Sequence, residues 1–255
     1  MKKSFLELKE YLDDQVLIYN NIQFIESDPI QIPHRFQQKN DIEIAAFITA
    51  TISWGNRKSI IKSAVHILDL LDNSPYDFVK NFNENDTKLW QKSIHRTFNA
   101  NDLRFFCISL QKIYSEHNSL ENLFLSQENE TNLFPAISRF REQFLNIEHE
   151  KRTEKHVSNP KKNSASKRIN MFLRWMIRKD ENGVDFGLWQ NIPMSKLSCP
   201  LDVHSGNIAR ELNLLQRKQN DRKAVEELDE NLRKFDKNDP VKYDYALFGN
   251  GVNLK

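Results

Sequence analysis

Two residues each have a type and a setting that chemistry could use. Asp202 stands in Pro200-Leu201-Asp202-Val203-His204-Ser205-Gly206, at the mouth of a helix. A carboxylate there is a natural N-cap, because its oxygens accept the orphan N–H groups of the first turn. Held at the positive end of the helix dipole, it also stays ionised and can face a cation that develops during a reaction. Lys167 opens a basic helix earlier in the chain. Most lysines are solvated surface residues. An amine can nevertheless attack an aldehyde carbon and form a Schiff base when partial burial or a cationic neighbour such as Arg168 lowers its pKa. Metal chemistry finds no comparable support, since the seven histidines show no HExxH-type spacing. The two cysteines, Cys107 and Cys199, exclude zinc ribbons, CxxC motifs, four-cysteine iron–sulfur sites and a disulfide framework. Neither a metal nor a cofactor is expected.

The elements that must position these residues read as helices, and no run alternates as a strand would. The expectation is an all-α chain. A first helix spans Ser4 to Tyr19, with Phe5, Leu8, Leu12 and Val16 on one stripe. The prolines of 28–36 break the pattern into a connector. Asn40 and Glu43 have capping-box spacing and open an apolar helix through Ile44, Phe47, Ile48, Thr51 and Ile52, which stops at Trp54-Gly55-Asn56. A second helix, Arg57 to Leu71, completes an αα-hairpin. Residues 74–144 are helical with polar breaks, and 148–163 reads as a surface loop. Ser164 or Ser166 can cap the next helix, which puts Ile169, Phe172, Leu173, Met176 and Ile177 on one stripe and Lys167, Met171, Arg174 and Arg178 on another face. Helices then begin at Asp202 and around Val225. Asp239-Pro240 supplies a cap and an N1 proline for a last helix, Val241 to Phe248, closed by Gly249.

The chain has 255 residues and a net charge of +2, from 37 basic and 35 acidic residues, so charge alone does not predict a nucleic-acid partner. Its distribution says more. Between Lys151 and Lys179 the basic residues Lys151, Arg152, Lys155, Lys161, Lys162, Lys167, Arg168, Arg174, Arg178 and Lys179 face one acid, Glu154. Phosphate neutralisation would use such a stretch, and a solvated helix face would look the same. The six glycines are about a third of the usual share, which disfavours Rossmann and P-loop sites. No apolar run approaches the ~18 residues of a spanning helix. Charges at Glu7, Lys9 and Glu10 interrupt what would be a signal-peptide core, so a soluble cytoplasmic chain is expected.

Three segments carry a family resemblance: Lys167-Arg168-Ile169-Asn170-Met171-Phe172-Leu173-Arg174-Trp175-Met176, then Pro200-Leu201-Asp202-Val203-His204-Ser205-Gly206-Asn207-Ile208-Ala209-Arg210, then Ala246-Leu247-Phe248-Gly249. In order and content they resemble the second half of a helix-hairpin-helix GPD DNA glycosylase. The spacing from lysine to aspartate is most similar to the archaeal 8-oxoguanine glycosylase and AP lyase branch. Over nearly its full length the chain also resembles a bacterial family described only as conserved hypothetical proteins. One departure stands out, because Asn163-Ser164-Ala165-Ser166 occupies the place of the glycines in a phosphate-binding hairpin.

The resemblance implies two helical lobes with a cleft between them, lobe A from 1–41 and 199–255 and lobe B from 42–198. It implies a monomer acting on double-stranded DNA that carries an oxidised purine, with the base flipped out of the stack. Asp202 would stabilise the charge on the sugar, and Lys167 would attack C1′ and carry a Schiff base into β-elimination. Lys161, Lys162, Ser164, Ser166, Arg168, Arg174, Arg178 and His204 would lie along the DNA backbone. Ser53, Trp54 and Asn56 would stack on the base, bond it or fill its gap. Two other readings stay open: a non-catalytic DNA or RNA binder that keeps the fold, and a helical scaffold for another protein.

Overall fold

Ser4 starts the first helix by a reciprocal cap, its hydroxyl accepting from the Glu7 amide while the Glu7 carboxylate accepts from the Ser4 amide. That helix is α1, Phe5–Tyr19, in a computed structural model that describes residues 3–90 and 93–253. It is followed by α2 (Ile22–Ser27), α3 (Lys39–Ile52), α4 (Arg57–Leu70), α5 (Pro75–Lys80), α6 (Ala100–Glu116), α7 (Glu121–Phe124), α8 (Phe134–Phe144), α9 (Lys167–Ile177), α10 (Val203–Glu211), α11 (Arg222–Phe235) and α12 (Tyr243–Asn253). The chain is mostly helical. An antiparallel pair, β1 (Ser93–His95) and β2 (Phe98–Asn99), is too short to leave an alternating pattern in the sequence. No helix among the described residues is long and apolar enough to cross a membrane.

Two compact units form. One comprises Met1–Ile25, Ser126–Pro135 and Asn159–Lys255, the other Glu26–Leu125 and Ala136–Ser158. Residues 159–198 therefore fold with the C-terminal helices and with 126–135, not with 42–125 or 136–158, and the arginines of α9 find their carboxylates there. Likewise, 26–41 folds with α3.

In the second unit, α3 is buried on all sides, as its apolar sequence predicts. Phe47 meets Phe106, Phe140 and Phe144 at 5.4–5.6 Å between ring centroids, and each such ring contributes about 1.5–3 kcal/mol by leaving water. Asn40 and Glu43 do not cap this helix. It begins at Lys39, and Glu43 points inward, fully buried, to accept from the Tyr114 hydroxyl at 2.8 Å, the Leu120 amide at 3.0 Å and the Ser119 hydroxyl. A distant segment offers a buried carboxylate three donors, whereas its own helix end offers two amides already near water. Nor is 148–163 a plain surface loop. A 3-10 turn at Lys151–His156 buries Thr153 and His156 against Asp102, which also accepts from Arg152.

In the first unit, α12 packs against α1 and α10. Gly249 does not close that helix but lies within it, where the Tyr19 ring leaves no room for a Cβ. Gly251 passes the His204 backbone, which a Cβ would meet at 3.0 Å. Both contacts set α12 against its neighbours at backbone distance. Asp239 starts a 3-10 turn without capping it, because its carboxylate is taken by Arg178.

Candidate active site along helix α9

Residues 167, 174 and 178 recur at i, i+7 and i+11, so α9 and its C-cap present three cations along one line. Each meets a carboxylate from a different place in the first unit. Lys167 Nζ lies 3.0 Å from Asp202 Oδ2 at the N-cap of α10. Arg174 pairs with Asp244 of α12 and, at 3.3 Å, with Asp185. Arg178 reaches Asp180 at 2.7 Å, Asp185 at 3.1 Å and Asp239 at 3.0 Å. The Tyr245 ring lies under both guanidinium groups, and its hydroxyl donates to Asp185.

Exposure separates the rungs. The Arg174 and Arg178 side chains are 6% and 2% exposed, while Lys167 and Asp202 are 33% and 15% exposed. Arg174 and Arg178 are therefore not phosphate ligands on an outer face; they are ion-paired in the interior. The pattern of hydrophobic residues cannot reveal this, since an arginine whose partner comes from another helix has the same spacing as a solvated one. The accessible rung carries the lysine, the cation of the three whose nitrogen can become a nucleophile.

The two carboxylate oxygens of Asp202 have separate partners. Oδ1 accepts from the amides of His204 at 2.8 Å and Ser205 at 3.0 Å, and the Asp202 amide donates to Ser205 Oγ at 3.0 Å. Oδ2 faces Lys167. Burial pushes this carboxyl up, but the Lys167 ammonium and the Ser205 amide outweigh it and hold it below the usual aspartate range. Asp202 is thus an anion at neutral pH. Next to it, Val203 is 65% exposed and His204 partly so.

The turn before α9 adopts the backbone that glycines would supply. Asn163 and Ser166 both have left-handed φ, +61° and +52°, which costs a non-glycine residue about 1–2 kcal/mol. Ser166 occupies the N-cap position without capping, and its amide donates to Ser164 Oγ at 3.2 Å. The turn is anchored by Asn163 Nδ2 on Asp221 and by Asn170 Nδ2 on the Ala165 carbonyl. Lys161 and Lys162 are exposed beside it. Arg168 is half-buried, and desolvation pushes its guanidinium down to about 10.

Ser53, Trp54 and Asn56 belong to the other unit. The Ser53 hydroxyl donates to the Thr49 carbonyl at 2.7 Å, and Asn56 caps α4 through the Ser59 amide at 3.2 Å. Trp54 is half-buried, edge-on to His95 and stacked on His156 at 5.9 Å. Gly55, at φ +99°, lies where the Arg96 guanidinium would collide with any Cβ. Arg96 is exposed at the tip of the β1–β2 turn, and no sequence pattern places it beside Gly55. Among the described residues no group of three His, Cys, Asp or Glu could hold a metal ion.

A family model described as "Protein of unknown function (DUF2400)" matches residues 28–253. No curated protein and no solved structure matches the chain.

Proposed function

The chain belongs to the DUF2400 family of proteins of unknown function, and we propose that it is a DNA repair glycosylase that excises an oxidised purine of the 8-oxoguanine kind and cleaves the resulting site as a lyase. The observation that carries this is the accessible pair, Lys167 Nζ at 3.0 Å from an ionised Asp202.

In this scheme the damaged base leaves the stack, and the Asp202 carboxylate stabilises positive charge that develops at C1′ as the glycosidic bond stretches. The bond's electron pair leaves with the purine, which takes up a proton. Lys167 gives up a proton and forms the C1′–N bond. Opening of the sugar ring then gives the Schiff base, and loss of a C2′ proton expels the 3′ phosphate. Lys161 and Lys162 neutralise backbone phosphates beside the turn. The partner is double-stranded DNA, and one copy of the chain suffices.

The test is borohydride trapping on duplexes bearing 8-oxoguanine or an abasic site, with K167Q alongside. A covalent adduct that K167Q lacks is expected; an undiminished adduct in K167Q would sink the assignment of the nucleophile. One observation favours a second reading, a binder without catalysis: two of the three α9 rungs are plainly structural, and Lys167 could be the third. Salt-sensitive DNA binding with no adduct and no base release would support that alternative.

A further inference from the structure

The carbonyl of Asp202 has two donors. Gly206 N–H makes the ordinary first helical bond to it at 3.0 Å, and Asn220 Nδ2, from the loop between α10 and α11, donates at 2.8 Å. Asn220 is itself held by a cation, since Arg210 Nη2 donates to its Oδ1 at 2.6 Å. Arg210 is fixed in turn by the carbonyls of Arg217 at 2.9 Å and Lys218 at 3.0 Å. Gly206 makes room for this arrangement: a Cβ there would lie 2.9 Å from both Arg210 Nη1 and Asn220 Oδ1. The segment leading into Asp202 is also gripped, with Arg233 donating to the carbonyls of Ser195 and Leu197 and Asp229 accepting the Cys199 amide.

We propose that Asn220 is a positioning residue for Asp202, fixing the backbone of the N-cap so that Oδ1 stays on the α10 amides and Oδ2 stays on Lys167. An N-cap needs extended φ and ψ, here −127° and −166°, and its side-chain direction follows from them. Asn220 pins the one backbone atom of Asp202 that reports ψ. The Arg210 guanidinium strengthens the contact by polarising the amide. The assignment rests on the proposed role of the Lys167–Asp202 pair, but the geometry it predicts can be read without DNA.

Asn220→Ala removes the donor without changing charge, and Arg210 keeps two carbonyls. In a carbon-13 titration of the Asp202 carboxyl, the midpoint in N220A is expected to move up toward the ordinary aspartate value, because the capping amides and Lys167 lose alignment. An unchanged midpoint would overturn the assignment. On a duplex bearing 8-oxoguanine, N220A is expected to release the base about tenfold more slowly at unchanged Kd; a wild-type rate would count against it equally. Asn220→Asp retains the tie to Arg210 but cannot donate, so it stands in if N220A fails to fold. A rate as low as that expected for N220A supports the assignment, and a wild-type rate overturns it. If the wild-type protein traps no DNA while the midpoint shifts, the glycosylase reading falls and the positioning of Asp202 stands.

Discussion

Asp202 divides its carboxylate, one oxygen capping α10 through the amides of His204 and Ser205 and the other 3.0 Å from Lys167 Nζ. Structure and proposed chemistry can therefore be separated by D202N. Asparagine caps about as well as aspartate, and a partly exposed ion pair is worth about 0–1 kcal/mol. D202N is expected to unfold in urea within about 1 kcal/mol of the wild type and to release 8-oxoguanine about a hundredfold more slowly. Release at the wild-type rate would remove Asp202 from the reaction.

Lys161 and Lys162 remain exposed beside the turn that opens α9. The double alanine variant is expected to leave stability within about 0.5 kcal/mol. Its DNA affinity should fall, and the slope of log K against log salt should drop by about 2, one unit for each phosphate that is no longer neutralised. An unchanged slope would take these lysines off the DNA path.

Arg178 should behave in the opposite way. It is 2% exposed among Asp180, Asp185 and Asp239, and removing one partner leaves the others buried and uncompensated. R178M is expected to lose about 3–5 kcal/mol of stability, measured by urea unfolding. A loss below about 1 kcal/mol would show that these carboxylates find water or protons cheaply.

The helices, the hairpin around Gly55 and the helix mouth at Asp202 are legible in the sequence because each rests on local rules: a period of 3.6, a glycine with positive φ, a capping residue. The Lys167–Asp202 pairing comes only with a family resemblance, since nothing in the spacing brings α9 and α10 together. Glu43, Arg174 and Arg178 mislead for one shared reason. Each looks like a capping or surface residue locally, and each is taken by partners outside its own helix, Ser119 and Leu120 for Glu43, Asp185, Asp239 and Asp244 for the arginines. Asn220 gives no signal, because one asparagine in a polar loop has no period.

Two buried carboxyls make stability depend on pH. Burial pushes Asp229 up to about 7, more than Arg233 and the Cys199 amide can offset, and pushes Asp244 up to about 6 despite Arg174. Between the unfolded aspartate value near 3.8 and pH 7 the folded chain holds protons that the unfolded chain has lost. The contribution of these groups is therefore complete below about pH 4 and declines as pH rises through 6 and 7. Asp229→Asn keeps an acceptor for the Cys199 amide and removes the ionisation. Its unfolding free energy should match the wild type at pH 4 and exceed it at pH 8, by an amount on the order of a few kcal/mol. Parallel curves in urea across that range would show that Asp229 is ionised throughout.

Gly206 sets stability against positioning. Its φ is not positive, so alanine suits the backbone of α10 and should gain about 0.5–1 kcal/mol of helix propensity. The added Cβ, however, would stand 2.9 Å from Arg210 Nη1 and Asn220 Oδ1 and push both off their partners. Both atoms end flexible side chains, so the helix can keep its place while the hold on Asp202 is lost. G206A is expected to melt no lower than the wild type and yet to release 8-oxoguanine about tenfold more slowly. A variant that is equally stable and fully reactive would show that the Asp202 backbone needs no hold beyond its own helix.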